Sequence, residues 1–318
     1  MQPYQQSIDF TIDVQQNILQ QFAQQLAIPI INNEAKLDNA MGKGLLQFQS
    51  FPNQLEFYYF NCTVNQPIKI NSYNPQESDW LLLNINLSTE TSVKTVNNQS
   101  LNLQKYLPSG ILYYSPQTKV ENLNPAGEKI EIVIIRFPKA FLNAYVSKDF
   151  PKLENTQNAL IYEDLDSLSE RQLIAAINPT HNLLKRHSAI LHFLAIFIEK
   201  LTKRTYQTSY HQLHPNDVKG LFLAAAQLRN PIGGNLPNIE QLAQIAGMSA
   251  TKFKTYFKQV FGNPPMKYRQ KIRMEYARQL LENKQKTISE ISYELGYAHP
   301  SKFMLAYKKA FHQLPSKV

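Results

Sequence analysis

The sequence is poor in the residues that crosslink chains and bind metals. Its 318 residues include one cysteine, Cys62, and seven histidines, of which His181 is the first. A single cysteine excludes a disulfide within the chain. No apolar run approaches the roughly 18 residues of a membrane-spanning helix, and the N-terminus lacks the basic and apolar pattern of a signal peptide. We therefore expect a protein of the cytoplasm with no membrane partner.

The late start of the histidines also bears on catalysis. Metalloenzymes built on small β-barrels are the rival class for a strand-rich chain, and they hold their metal mainly through histidines and a carboxylate. No nucleophile stands near a base at a usable spacing, and Cys62 is more typical of a small buried apolar residue. The sequence therefore predicts no enzyme, no cofactor and no metal site.

Charge is divided unevenly along the chain. Residues 216–318 contain 16 Lys and Arg against 6 Asp and Glu, whereas the residues before them contain 17 against 18. A neutral front joined to a basic rear is expected where one domain binds a polyanion and the other does not. A basic surface retained only for solubility is the other interpretation, but it gives no reason for the charge to concentrate in the last third.

Strand patterns fill the front part, from about Ala35 to Phe137. Segments such as LEFYYFNCTV and KIEIVIIRF are rich in β-branched and aromatic residues, and turn-forming Pro, Asn and Gly separate them. Short strands at this spacing predict a sandwich or small barrel. The dense aromatic residues either form ordinary core or line an apolar pocket, for which the candidates are Tyr58, Phe60, Trp80 and Tyr114.

Helical patterns follow Pro151. Ser167–Ile177 predicts one helix, and Thr180, with His181 after it, predicts the cap of a longer helix that ends near Arg204. The longer helix carries an apolar stripe that packs either inside the chain or against a second copy: Leu184, Leu191, Leu194, Phe197, Ile198 and Leu201.

The basic part contains a helix, a glycine turn and a second helix. Asn238 and Gln241 form a variant of the capping box, Gly247 permits the turn, and Ser249 caps the next helix, Ala250–Phe261. That second helix places aromatic residues inward, at Phe253, Phe257 and Phe261. A basic second helix after a tight turn is typical of a reader of the DNA major groove.

The same pattern then occurs again. A connecting helix is predicted from Pro265 to Asn283, with a buried side formed by Met266, Ile272, Ala277, Leu280 and Leu281. Thr287–Glu290 is a complete capping box, Gly296 makes the turn, and Pro300 begins a helix whose inward residues are Phe303, Tyr307 and Phe311. The duplication is far more specific than a single helix-turn-helix.

These residues resemble the C-terminal DNA-binding domain of the AraC family of bacterial transcription regulators. The matching segments are LAQIAGMS, KTYFKQVFG, ISEISYELGY and AYKKAF, together with Tyr268, Arg273, Ala277, Leu280, Leu281, Ser301, Phe303, Pro315 and Ser316. The resemblance covers about a third of the chain. It implies two helix-turn-helix units whose recognition helices enter successive major grooves on one face of DNA. It also implies a preceding cupin-like barrel followed by dimerisation helices.

The resemblance assigns roles to positions on the two recognition helices. Base-reading candidates are Thr251, Lys254 and Thr255 on the first and Ser301, Met304 and Leu305, after Pro300, on the second. Phosphate candidates are Lys252, Lys258, Arg273, Lys302, Lys308 and Lys309. Met304 and Leu305 replace polar or basic readers, His312 stands where glycine is usual, and Lys317-Val318 replaces tyrosine-arginine. We therefore predict that the second helix-turn-helix contributes more to positioning the protein on DNA than to sequence specificity.

The sequence thus predicts an α+β multidomain protein. A cupin-like sensing domain, a β-barrel or sandwich, spans 1–150, a helical dimerisation region and linker spans 151–214, and an all-α DNA-binding domain spans 215–318. The expected partners are double-stranded DNA, RNA polymerase, a second copy of the chain and a small-molecule effector. A regulator without an effector, whose front domain serves only dimerisation or protein interaction, is the second hypothesis.

Overall fold

The structure, a computed structural model, describes residues 6–12, 16–88, 92–96, 99–103, 110–114, 116–145, 161–163, 165, 167–203, 215–228, 237–282 and 286–318. Two compact units are present, one within Met1–Leu165 and Gln172–Thr202 and the other within Asp166–Arg171 and Lys203–Val318. Most of the helical region predicted at 151–214 therefore belongs to the first unit. Within the described ranges, no helix combines the length and the apolar character needed to cross a membrane.

The first unit contains two β-sheets. Its strands are β1 Gln6–Thr11, β2 Ile30–Ile31, β3 Glu34–Asn39, β4 Gly42–Phe51, β5 Leu55–Val64, β6 Ile68–Tyr73, β7 Trp80–Asn86, β8 Ser92–Val96, β9 Gln99–Leu103, β10 Ile111–Tyr114, β11 Lys119–Asn124, β12 Lys129–Pro138 and β13 Ile161–Glu163. The smaller sheet has the order β1-β6-β11-β8-β9, and the larger has the order β13-β10-β7-β12-β5-β4-β3-β2. The predicted strand-rich front is confirmed, and it extends beyond residues 35–137 at both ends.

The two sheets face each other across a shared core. All seven residues of β7 are buried, and β12, which pairs with β5 on one side and β7 on the other, is buried from Ile132 to Phe137. Strands covered on both faces read as continuous apolar runs rather than alternating ones. A hydrogen bond from Lys94 in β8 to Asn84 in β7 crosses from the smaller sheet to the larger one. The first unit is therefore a sandwich.

A helix that the strand patterns did not predict closes one part of this core. Helix α1, Ile18–Leu26, begins at a capping box formed by Asn17 and Gln20. Its buried Phe22 lies 5.2 Å from Phe10 and 5.1 Å from Phe60, measured between ring centroids. The glutamines that surround these apolar residues lower the mean hydropathy of the segment, but the box and the three- and four-residue apolar spacing were both visible in the sequence.

A buried ion pair joins the central strands of the larger sheet. The Arg136 guanidinium, which is 1% exposed, donates from Nε to Glu56 Oε2 at 2.6 Å and lies 4.2 Å from the Trp80 ring centroid. The Tyr58 hydroxyl donates to the same carboxylate oxygen at 2.5 Å. Burial raises the pKa of Tyr58 well above its usual range. Tyr58 and Trp80 therefore belong to a structural network.

Three further helices of the chain follow β12: α2 Lys139–Tyr145 comes before β13, and α3 Ser167–Ile177 and α4 Leu183–Lys203 come after it. The predicted bounds of α3 are confirmed. The predicted cap of α4 at Thr180 is wrong, because Asn182 Oδ1 accepts from the Lys185 backbone N–H at 2.9 Å. The Thr180 hydroxyl donates instead to Asn178 Oδ1, within the turn before the helix.

The apolar stripe of α4 divides into two sets. Ile190, Phe193, Leu194 and Phe197 are buried in the first unit, so part of the stripe is core. Leu191 and Ile198 are half-buried, Leu184 is 76% exposed, and the side chain of Leu201 lies outside the described residues.

The second unit is helical, as predicted. It contains α5 Pro215–Gln227, α6 Ile239–Ile245, α7 Ala250–Phe261, α8 Pro265–Glu282, α9 Ile288–Glu294 and α10 Pro300–Phe311, and it ends in a 3-10 turn, Pro315–Lys317. One core joins α5, α6, α7 and the start of α8, and a second core joins the rest of α8 with α9 and α10. Helix α8 thus serves both cores. Met266, predicted on its buried side, is 51% exposed.

Candidate nucleic-acid interface and ligand cavity

The first helix-turn-helix is held by caps at both of its helices. The Asn238 side chain accepts from the Gln241 backbone N–H while Gln241 accepts from the Asn238 backbone N–H, each at 2.8 Å. Gly247 adopts φ 69°, which glycine accommodates without the steric cost of a side chain. The Ser249 hydroxyl then accepts from Lys252 N at 3.3 Å and starts α7. These predictions are confirmed.

Aromatic packing fixes which side of α7 is exposed. Phe253 and Phe257 are fully buried with ring centroids 5.3 Å apart, and Phe261 packs on Phe257 at 4.4 Å. Residues on the opposite side of the helix are exposed: Thr251, Lys254, Thr255 and Lys258. The Thr255 hydroxyl donates to the Thr251 carbonyl at 3.0 Å. The three base-reading candidates of the first helix-turn-helix therefore share one exposed, polar surface.

Lys252 has a partner that the sequence did not suggest. Its ammonium lies 2.9 Å from Asp217 Oδ2, on α5, and 5.3 Å from the Tyr256 ring centroid. The hydrogen bond to Asp217 raises the pKa of Lys252. This lysine links α7 to α5, so contact with a phosphate would compete with an ion pair already present.

The second helix-turn-helix has the same plan with weaker helix ends. Thr287 and Glu290 form the predicted capping box, and Gly296 makes the turn at φ 77°. Helix α10 begins with Pro300 at its first position, and His299 makes no side-chain capping bond. The helix ends at His312, which adopts φ 58°, a left-handed conformation that favours glycine.

The exposed side of α10 differs from that of α7. Leu305 is 65% exposed, whereas Met304 is half-buried and packs against the second core. Ser301 is exposed beside them, and so are the phosphate candidates Lys302, Lys308 and Lys309. The base-reading surface predicted for α10 is therefore a serine next to an exposed leucine.

Arg273 lies between α8 and the second turn rather than on an outer surface. Its half-buried guanidinium donates to the Leu295 carbonyl, at the end of α9, and its Cζ lies 4.4 Å from the Tyr297 ring centroid. The Tyr297 hydroxyl accepts from Gln270 Nε2 at 2.9 Å. The phosphate candidate Arg273 thus fastens the second helix-turn-helix to the connecting helix.

Sequence reasoning missed the role of α5. A methyl group on Gly220 would lie 2.2 Å from the Ala246 carbonyl oxygen, so α5 and α6 approach as closely as only glycine permits. Leu221, Ala224, Ala225 and Leu228 complete this contact by entering the first core. A glycine four residues before a run of three alanines was the available signal.

The first unit contains a narrow cavity between its sheets. The cavity has about 60 Å³ of open space, and 21 residues line it. Of the four aromatic pocket candidates, Phe60 and Tyr114 line it, whereas Tyr58 and Trp80 lie in the Arg136 network. Tyr58 and Trp80 lie opposite Ile134 and Pro138 of β12, on either side of Arg136, and Tyr58 is held there by the Glu56 carboxylate.

Comparison with known proteins bears on the second unit. Residues 242–318 match the family model of a helix-turn-helix domain. Over 77 residues the chain is 36% identical to the HTH-type transcriptional regulator AlkR of Acinetobacter baylyi. This match covers 24% of this chain and 25% of that protein. Over 82 residues it is 33% identical to the XylDLEGF operon transcriptional activator 2 of Pseudomonas putida, covering 25% of this chain and 52% of that protein.

Solved structures are also similar to part of this chain. One is a transcriptional regulator from Chromobacterium violaceum, of the AraC-type DNA-binding domain-containing proteins. It is 26% identical, with a TM-score of 0.30, and the match covers 33% of this chain and 92% of that one. The chain matches between a quarter and about half of the length of the two curated relatives.

Proposed function

Because its second unit is a double helix-turn-helix domain of the AraC type, we propose that this chain is a DNA-binding transcription regulator that reads DNA with α7 and α10. The observation that carries the proposal is the duplication. Each helix-turn-helix has its own buried core, and each core leaves one side of its second helix exposed. A helix of this kind fits the major groove, which is about 12 Å wide.

The two recognition helices are proposed to contribute unequally to base recognition. Lys254 donates to base acceptors such as guanine O6 and N7, and the threonine hydroxyls beside it donate or accept. Leu305 has only apolar contact to offer, for example with a thymine methyl group. Lys258, Lys302, Lys308 and Lys309 are proposed to meet phosphates, because they are exposed around the two reading surfaces. Helix α7 then supplies most of the specificity.

The test is a binding titration of the full chain on duplex DNA over a range of salt concentrations. We expect affinity to fall steeply as salt rises, because phosphate contacts release counterions. The double variant Lys258→Glu/Lys309→Glu should weaken binding by at least about tenfold and make the salt dependence shallower. The matched control, Lys43→Glu, reverses an exposed charge in the first unit and should bind like the wild type. Equal losses in both variants would overturn the proposed interface.

The first unit is proposed to sense a small molecule through the cavity between its sheets. The cavity is enclosed by side chains from both sheets and from α1, as small-molecule sites commonly are. The second hypothesis, a front unit used only for dimerisation or protein contact, predicts that no ligand raises the thermal stability of this unit. RNA polymerase is the further partner that an activator of this kind would contact.

We also propose that the chain forms a homodimer through one line of α4. Leu184, Leu191 and Ile198 recur at seven-residue intervals, so they lie along one side of the helix, next to its buried side. Leu194 is core, and substituting it would unfold the unit rather than test an interface. Light scattering of Leu184→Lys/Leu191→Lys should report a monomer where the wild type is a dimer, and His192→Lys, on the exposed side, should not.

A further inference from the structure

The interior of the first unit holds a charged side chain that DNA binding does not use. Lys94, in β8, is 2% exposed, and its Nζ donates to Asn84 Oδ1 at 2.8 Å. Lysine is rarely buried, because leaving water is costly for an ammonium group. The Asn84 amide and the charge of the Glu128 carboxylate together offset only part of that cost. A lysine retained at such a position calls for a further role.

Lys94 belongs to a polar group contributed by both sheets. In the smaller sheet it lies opposite Asn122, and Ser72 lies opposite Val120, two residues away on the same strand. In the larger sheet Tyr114 lies opposite Leu82, two residues from Asn84 on the same strand. Lys94 bonds to Asn84, and Ser72 and Tyr114 line the same cavity from opposite sheets, so the polar side chains meet across the sandwich.

These polar side chains form one part of the cavity lining, and the remainder is almost entirely apolar. The apolar part comes chiefly from α1 and from strands away from Lys94, through residues such as Phe10, Phe22, Leu26, Leu46 and Phe60. Among the lining residues, Lys94 is the one whose side chain can carry a positive charge. A site with an apolar body and one cation is complementary to a molecule with an apolar body and one anionic end.

We propose that this cavity binds a small straight-chain carboxylate, with its hydrocarbon among the phenylalanines and its carboxylate on the Lys94 ammonium. The inference rests on the proposed function, since it names the chemical class of the effector. The carboxylate supplies the counter-charge within the cavity that Asn84 lacks. The cavity has only about 60 Å³ of open space, so a bound hydrocarbon chain has to displace the apolar side chains that line it.

Protonation of Lys94 gives the proposal a second signature. Burial lowers the pKa of Lys94 to about 7, against the opposing effect of the Glu128 carboxylate. The other titratable groups that line the cavity are Cys62 and Tyr114; burial raises the pKa of Cys62 to about 11 and raises that of Tyr114 further, so both are neutral. A bound carboxylate favours the ammonium form, so binding at about pH 8 should take up a proton.

Calorimetric titration of the full chain tests the head group first. The probes are straight-chain carboxylates from hexanoate to dodecanoate, each matched with the alcohol and the amine of equal length and kept below micelle formation. We expect one carboxylate to bind at least about tenfold more tightly than its alcohol, and its amine not to bind. Titrations in two buffers of different ionisation enthalpy should show proton uptake. Equal binding of acid and alcohol, or no binding of any carboxylate, overturns the proposal.

Variants then test the residue. Lys94→Met should weaken carboxylate binding at least about tenfold, keep weak alcohol binding and abolish the proton uptake, whereas Lys43→Met should do none of these. Unchanged binding in Lys94→Met overturns the assignment, and if that variant does not fold, the head-group comparison on the wild type still decides. DNA binding by the same preparations separates the two claims. A chain that binds DNA and no carboxylate loses only this inference, and one that binds carboxylate and no DNA loses the proposed function.

Discussion

The two helix-turn-helix units keep the same aromatic spacing inside and present different chemistry outside. Helix α7 buries Phe253 and Phe257 and exposes Lys254, whereas α10 buries Phe303 and Tyr307 and exposes Leu305. The inward positions recur every four residues in both helices. Folding and reading are therefore carried by separate sets of residues, and one set can change while the other stays constant.

The two helix-turn-helix motifs also differ in how they are attached to the rest of their domain. The first is clamped by close approach of backbones, at Gly220 against Ala246. The second is fastened by a side chain, Arg273, which reaches the Leu295 carbonyl from α8. A backbone clamp tolerates no added atoms, whereas a long side chain adjusts. Substitutions at the contact that holds the first helix-turn-helix should therefore lower the free energy of unfolding more than those at the contact that holds the second.

The largest effect is expected for Gly220→Ala. Alanine favours a helix over glycine by about 1 kcal/mol, so propensity alone predicts stabilisation. The new methyl group would lie 2.2 Å from the Ala246 carbonyl oxygen, and relieving that overlap must separate α5 from α6. We expect a net destabilisation of the second unit by about 3 kcal/mol.

Denaturant unfolding of the full chain can separate the two units. The single tryptophan, Trp80, lies in the first unit, so its fluorescence follows that unit while circular dichroism follows the helices. Gln227→Ala, at an exposed position of α5, is the matched control and should leave both transitions in place. A Gly220→Ala variant as stable as the wild type would show that the first helix-turn-helix is not clamped in this way.

Local signals predicted most of the second unit because its structure is itself local. Both capping boxes, both turn glycines and the bounds of α7 were visible in the sequence, since each depends on residues within four positions of one another. The contacts of Lys252 and Arg273 were not predictable in this way. Asp217 lies 35 residues from Lys252, and only the fold brings them together.

The first unit was predictable in class but not in arrangement. Alternating and clustered apolar residues indicate strands, yet they do not give strand order, and the parallel pairing of β1 with β6 joins segments about 60 residues apart. Of the four aromatic pocket candidates, Phe60 and Tyr114 line the cavity, whereas Tyr58 and Trp80 do not. Tyr58 and Phe60 are two positions apart on β5 and face the same side of the sheet, so the alternation of side chains does not separate them. What separates them is the Glu56 carboxylate, which accepts from Tyr58 and from Arg136 on the neighbouring strand.

An intermediate effect is expected on sequence readout. Selection from a random DNA pool should give one sharply defined block and, about 10 base pairs away, a diffuse one. Lys254→Ala should relax the sharp block at a cost of about 2 kcal/mol in discrimination, because a well-placed polar contact to a base edge is lost.

Two matched variants sharpen this comparison between the helices. Leu305→Ala should change the diffuse block little, since an apolar contact to a methyl group discriminates less. Lys308→Ala should weaken all sequences about equally, as loss of a phosphate contact does. Two blocks of equal sharpness would show that α10 reads bases as well as α7 does, and the division of work between them would be wrong.

The smallest effect is expected at the ends of the two reading helices. Both end in the left-handed region, α7 at Gly262 with φ 72° and α10 at His312 with φ 58°. A side chain in this conformation costs more than glycine does, although glycine also gains freedom in the unfolded chain. We therefore expect His312→Gly to stabilise the end of α10 by about 0.5 kcal/mol and Gly262→Ala to destabilise α7 by about 1 kcal/mol.

Native-state hydrogen exchange resolves the two helices separately. If His312→Gly instead speeds exchange in α10, the histidine contributes a contact that outweighs its backbone strain, and the two helix ends are not equivalent.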